Sequence, residues 1–228
     1  MSSGNSRTIT SNQTGPHDKL AEIVARHLAH PTQKPFNQHT LDAFAQVEAW
    51  RQDKGPQRPL ILDACCGVGE STAYLASQFP QHLVIGVDKS ALRTQKHAHY
   101  AVDGDNYCVV RADLNDFWRL AHRQGWQLDR HYLLYPNPYP KSAHLQRRWH
   151  GSAAFADILR LGGRLEVRSN WDIYIQEFAL ALRQAGYQAH CEPYTSDTAQ
   201  TPFERKYWGS GQQSWHVVAD LDSKGLQG

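Results

Sequence analysis

No stretch of the 228-residue chain approaches about eighteen uninterrupted apolar residues, so no segment reads as a membrane helix. The opening MSSGNSRTITSNQTGP has no apolar core and does not read as a secretory signal. Together these predict a cytoplasmic protein with no membrane partner. Of the four cysteines, Cys65, Cys66, Cys108 and Cys191, none forms a CxxC pair, and the adjacent two are poorly placed to share one metal. They read as buried, reduced thiols. The thirteen histidines include no HxxxH or HExxH spacing, so no metal site is expected. Strong charge is missing as well, the formal net charge being only +2. A protein this near neutrality does not hold a polyanion by its overall field; any nucleic-acid contact has to come from a local patch.

What is present is an ordinary globular composition, 40% hydrophobic and 20% charged, enough for one substantial core. Residues 1–16 are polar and predict a flexible tail. Residues 17–56 predict a helical extension. His17 to His30 sets Leu20, Ile23, Val24 and Leu28 on one helix face, Pro31 and Pro35 break the pattern, and Asn37 to Gln52 resumes it. Residues 57–228 change texture to strands alternating with helices. Strands are expected at Leu60–Cys65, Leu83–Asp88, Tyr107–Asp113, His131–Pro136, Gly163–Ser169, Tyr187–Glu192 and Ser214–Leu221. The alternation implies an α/β fold, a seven-stranded mostly parallel sheet with helices on both faces. Ligands of such sheets bind beyond the carboxyl ends of the strands.

Three consecutive strand ends carry an acid: Asp63, Asp88 and Asp113. Gly67 and Gly69, in DACCGVGES, let the backbone pass close to a ligand. Asp88 is placed to accept the two hydroxyls of a ribose. A dinucleotide site would want a third glycine, where this chain has Thr72, and an acid before the loop repels a pyrophosphate. S-adenosylmethionine, with its cationic ammonium, fits better than NAD. The plainer reading is a strand-to-helix turn with three solvated or capping aspartates.

The fourth strand runs into PNPYPKSAHLQRRW, stiffened by three prolines. Asn137 begins this loop, and Lys141, His144, Arg147 and Arg148 form a basic cluster between Tyr139 and Trp149. Cations interleaved with aromatics suit phosphate neutralisation and base stacking, although the same residues would also make a solvated helix face. RSNWDIY brings Asn170 to the tip of the fifth strand, and TPFERKYW groups Thr201, Phe203, Glu204 and Arg205 before the last strand. Glu204 could accept from guanine N1–H and its exocyclic amine, or could pair with Arg205 or Lys206.

These segments, in this order, resemble the bacterial tRNA (guanine-N7)-methyltransferase family from Leu60 to the last strand, while residues 1–50 match poorly. The family's acid before a glycine loop, PDPWPK motif with a following His and Arg pair, TDW and TxFE(R) appear as DACCGVG, PNPYPK with His144 and Arg147–Arg148, SNW and TPFER. The resemblance implies a Rossmann-like class I fold that binds S-adenosylmethionine and methylates N7 of a variable-loop guanine in tRNA. It implies that Asp63, Gly67, Gly69, Asp88, Asp113 and Asn137 hold the cofactor, with Asn137 at the catalytic position. Lys141, His144, Arg147, Arg148, Asn170, Thr201, Phe203, Glu204 and Arg205 would face the RNA. The chain departs from the pattern where Asn137 and Asn170 replace aspartates and Cys65 replaces the first loop glycine. Those departures leave two other expectations open, an RNA-binding homologue with weakened turnover and a methyltransferase for another acceptor. Asn137–Pro138–Tyr139 has some likeness to the loop of exocyclic-amine methyltransferases. Monomer and homodimer are equally compatible with the sequence.

Overall fold

The computed structural model describes residues 6–223. Seven strands form one sheet: β1 (Leu60–Ala64), β2 (Leu83–Asp88), β3 (Tyr107–Arg111), β4 (Leu128–Leu134), β5 (Arg164–Ser169), β6 (Glu192–Tyr194) and β7 (Ser214–Asp220). Their order is β3-β2-β1-β4-β5-β7-β6, and β7 alone runs opposite to the other six. β1 and β2 are buried along their whole length, as strands covered by helices on both faces must be. The order reverses between β1 and β4, so a crevice opens at their carboxyl ends.

The covering helices are α3 (Glu70–Gln78), α4 (Ala91–Gln95), α5 (Leu114–Arg123), α6 (Phe155–Arg160) and α7 (Asp172–Gln184). In α5, Asp113 caps the start by accepting from Asn115 N at 2.8 Å, and Phe117, Trp118 and Ala121 bury the inner stripe. The N-terminal helices α1 (Leu20–Ala29) and α2 (Gln38–Lys54) are integral to this core. α1 packs on α6 and α7, α2 packs on α5, and Val24, Phe44 and Val47 belong to the same apolar cluster as the sheet.

Two expectations need correction. Tyr187–Glu192 is not the sixth strand, which falls at Glu192–Tyr194. Tyr187 and Ala189 alternate inward because the segment wraps the end of α7: Tyr187 N donates to Leu182 O, and Arg183 donates to Ala189 O. Residues 201–208, which the strand–helix reading leaves as the connection before the last strand, form α8 (Pro202–Trp208), with Thr201 capping at Glu204 N and proline in the first turn. In the described part of the N-terminal segment, residues 6–16, Ser6 is bonded to the α8–β7 turn, Ser11 and Asn12 to the proline loop, and Gln13 to Glu177 of α7. Residues 1–5 lie outside the described residues, as do 224–228 of the predicted domain.

Candidate active site

A cavity of about 300 Å³ opens at the carboxyl ends of the central strands. Asp88, Asp113 and Arg93 lie on its β2–β3 side, and Tyr135, Asn137, Tyr139, Arg147 and Trp149 on the side of the proline loop. A second cavity of about 100 Å³ shares Cys65, Arg93 and Phe203 with the first and adds Gly67 and Thr201. Among the described residues, the non-glycine positions with left-handed backbone are Cys65 (φ 62°), Tyr135 (55°) and Tyr139 (45°). All three line the larger cavity. A β-carbon is strained in that conformation, and such strain gathers where a site dictates the backbone.

The glycine loop is built on Asp63. That carboxylate is wholly buried, and its Oδ2 accepts from Ser71 Oγ at 2.6 Å and Thr72 Oγ1 at 2.7 Å. Burial raises its pKa to about 6, against the two hydroxyl donors. Thr72, which stands where a dinucleotide site would want glycine, ties the first turn of α3 to β1. A Cβ on Gly86 would collide with it. Gly69 is required as well, since its φ is 75° and a Cβ there would press on His97 and Val109. Asp63 lines neither cavity; its reach toward a ligand is through the loop it fixes.

Asp88 is nearly buried but faces the larger cavity. Its Oδ2 accepts from Gly67 N at 3.1 Å and Arg93 at 3.2 Å, and its Oδ1 from Ser90 N at 2.8 Å. Asp113 is exposed, lines the same cavity and caps α5. Two of the three expected aspartates thus meet at the cavity. The third braces it.

Across from them, Asn137 is exposed, and its Oδ1 closes a turn by accepting from Tyr139 N at 3.2 Å. Tyr135, Tyr139, Trp149 and Phe203 give an aromatic wall. Lys141 and Arg147 are exposed cations, Arg147 lying over the Tyr139 ring at 5.9 Å. His144 packs edge-on against Tyr139, and slight burial and the charges of Arg147, Lys141 and Arg148 hold its pKa below the ordinary value.

Other expected RNA contacts lie elsewhere. Arg148 is fully buried, paired with Glu177 at 2.6 Å and bonded to Tyr139 O and Lys141 O, so it meets no phosphate. Glu204 is also fully buried, accepting from Arg168 at 2.9 Å and Gln200 N at 2.6 Å, and it pairs with neither Arg205 nor Lys206. Arg205 makes a two-pronged pair with Glu70. Asn170 donates to Gln212 at 2.9 Å and lines neither cavity. Thr201 caps α8 and reaches the smaller cavity, while Phe203 lines both. The sequence reading missed Arg93 and Tyr135 as cavity residues, while Trp149 reads there as a stacking aromatic. For Arg93 the only available signal was its place one turn after Asp88; for Tyr135, whose role follows from a backbone twist, there was none.

Residues 57–217 match the model of a family described as "Putative methyltransferase". The chain belongs to this methyltransferase family. Among curated relatives, the tRNA (guanine-N(7)-)-methyltransferase of Lachnoclostridium phytofermentans is 25% identical over 75% of this chain and 84% of its own. That of Stutzerimonas stutzeri is 28% identical over 73% of each. Among solved structures, the 16S rRNA methyltransferase KamB matches with a TM-score of 0.56 and 16% identity, over 82% of this methyltransferase and 94% of that chain. A 16S rRNA (adenine(1408)-N(1))-methyltransferase from Catenulisporales acidiphilia matches at 0.54 and 17%, over 78% and 93%. Both are likenesses of fold. No helix among the described residues is long and apolar enough to cross a membrane, and no group of three potential metal ligands occurs among them.

Proposed function

We infer that this methyltransferase uses S-adenosylmethionine to methylate N7 of a guanine in tRNA. The observation that carries the reading is the cavity, with carboxylates on its β2–β3 wall and Asn137, aromatic rings and an exposed arginine on the opposite wall. The residues present fit the cofactor. Asp88 offers a carboxylate to vicinal hydroxyls, and Asp63, through Ser71 and Thr72, fixes the left-handed glycine loop beside it. The named activity of the curated relatives supports the acceptor. We place the protein in the cytoplasm, where such RNA is modified.

S-adenosylmethionine, which Asp88 and the glycine loop would hold, would supply an electrophilic methyl group, and a purine that accepts it at N7 would gain positive charge. N7 already presents a lone pair, so no side chain need remove a proton. The protein's work is alignment and charge stabilisation. Asn137, its Oδ1 held by Tyr139 N, lines the cavity where the acceptor base would lie. Phe203 and Tyr139 flank a flat ring, while Lys141, His144 and Arg147 take phosphates on the rim.

The test is incubation of the purified protein with methyl-labelled S-adenosylmethionine and unmodified tRNA, followed by nucleoside analysis. Labelled N7-methylguanosine is the expected product. Label in another nucleoside, or none despite cofactor and tRNA binding, would overturn the assignment.

A further inference from the structure

The proline loop cannot hold itself in place by backbone pairing. Pro136, Pro138 and Pro140 have no N–H, and Tyr139 sits at a strained φ of 45°. Side chains hold it instead. Three consecutive carbonyls are taken: Tyr139 O and Lys141 O by Arg148, and Pro140 O by Ser11 Oγ at 2.6 Å. Asn12 then pairs reciprocally with Ser142, accepting from Ser142 N and donating to Ser142 Oγ, both at 2.9 Å.

Gln13 links the two grips. Its Oε1 accepts from Arg148, and its Nε2 donates to Glu177, which also binds Arg148 and His150. The same segment reaches the opposite side of the substrate region. Ser6 N donates to Ser210 Oγ and Ser6 O accepts from Gln212, whose own Oε1 holds Asn170 at the tip of β5. Residues 6–13 therefore span from the α8–β7 turn to the loop that carries Asn137.

We propose that Ser11 and Asn12 are positioning residues for methyl transfer, the N-terminal segment serving as a strap that fixes the proline loop, and with it Asn137, against the acceptor base. The proposal rests on the function inferred above. Cofactor affinity should change less than the rate, because no strap residue lines either cavity and the Asp88 wall is bonded to the glycine loop and Arg93, not to the strap. The alignment of the acceptor depends on the strap, and a displacement near 1 Å costs on the order of 10²-fold in rate.

Full-length Ser11→Ala/Asn12→Ala is compared with the wild type and with Asn12→Asp, which keeps the acceptor for Ser142 N. The double variant is expected to lose about tenfold or more in kcat on tRNA, with KM for S-adenosylmethionine and its Kd changed by less than about twofold. Asn12→Asp is expected to keep most of the rate. An unchanged kcat, or losses in cofactor affinity that match those in rate, would overturn the proposal. A wild type that labels no N7-methylguanosine would instead sink the inferred function. Backbone amide exchange over residues 139–142 decides the strap without turnover: faster exchange in the double variant supports it, and unchanged protection refutes it.

Discussion

Asn137 is the residue on which we propose the chemistry turns. Its Oδ1 closes the turn at Tyr139 N, a bond a carboxylate would make equally well, so Asn137→Asp preserves the loop. A carboxylate beside a purine that gains positive charge stabilises the transition state better than an amide dipole. Turnover of Asn137→Asp on tRNA is therefore expected to rise, and Asn137→Ala to fall by about 10²-fold, both read as kcat from initial rates. A slower Asn137→Asp would show that the amide N–H₂ has a role of its own. Cys65 illustrates a departure that is legible only in part. The sequence shows a cysteine where the family places a glycine, and the structure shows it holding the left-handed conformation a glycine would take, at φ 62°.

Among elements, the helical turns of residues 142–151 separate two arginines that the sequence presents as a pair. These turns point Arg147 out to solvent and bring Arg148 inward against Glu177. Glu177 answers in kind: burial raises its pKa, but bonds from His150 and Arg148 outweigh this and hold it down to about 2. Arg147→Ala should leave stability intact, weaken tRNA binding and reduce the magnitude of its log–log salt slope by about 1, measured by titration at several salt concentrations. Arg148→Ala leaves the buried Glu177 carboxylate without its arginine and should cost about 3–5 kcal/mol in urea unfolding at neutral pH. Equal effects of the two substitutions on RNA affinity, at equal stability, would contradict this division of labour. Similarly, TPFER reads as a substrate motif, while in α8 its threonine is a helix cap and its glutamate a buried partner of Arg168. The capping pattern was in the sequence; the ion pair, formed across 36 residues, was not.

At the scale of the whole molecule, stability is tied to a histidine in the sheet. His131 on β4 is fully buried, accepts from Trp118 Nε1 at 3.1 Å and has its pKa pushed down by burial from 6.5 to about 3. The folded chain resists protonation there while the unfolded chain does not. The contribution is therefore complete above pH 6.5 and lost as pH falls toward 3, at about 1.4 kcal/mol per pH unit. Asp63 opposes it below about pH 6, because its folded pKa is raised and the native state takes up that proton first. His131→Gln keeps an acceptor for Trp118, so its unfolding free energy should fall less steeply than the wild type's between pH 6.5 and 5. Parallel curves would rule out His131 as the source.

The strand–helix alternation, the acids at the strand ends and the glycine loop were fixed by local pattern, because side-chain period and turn chemistry act between near neighbours in the chain. Which charges stay in water depended on contacts between distant residues: Arg148 with Glu177 and Gln13, Glu204 with Arg168, and the strap with Pro140 and Ser142. An ion pair is made by burial and proximity in space, and neither is written in the spacing of residues along the chain.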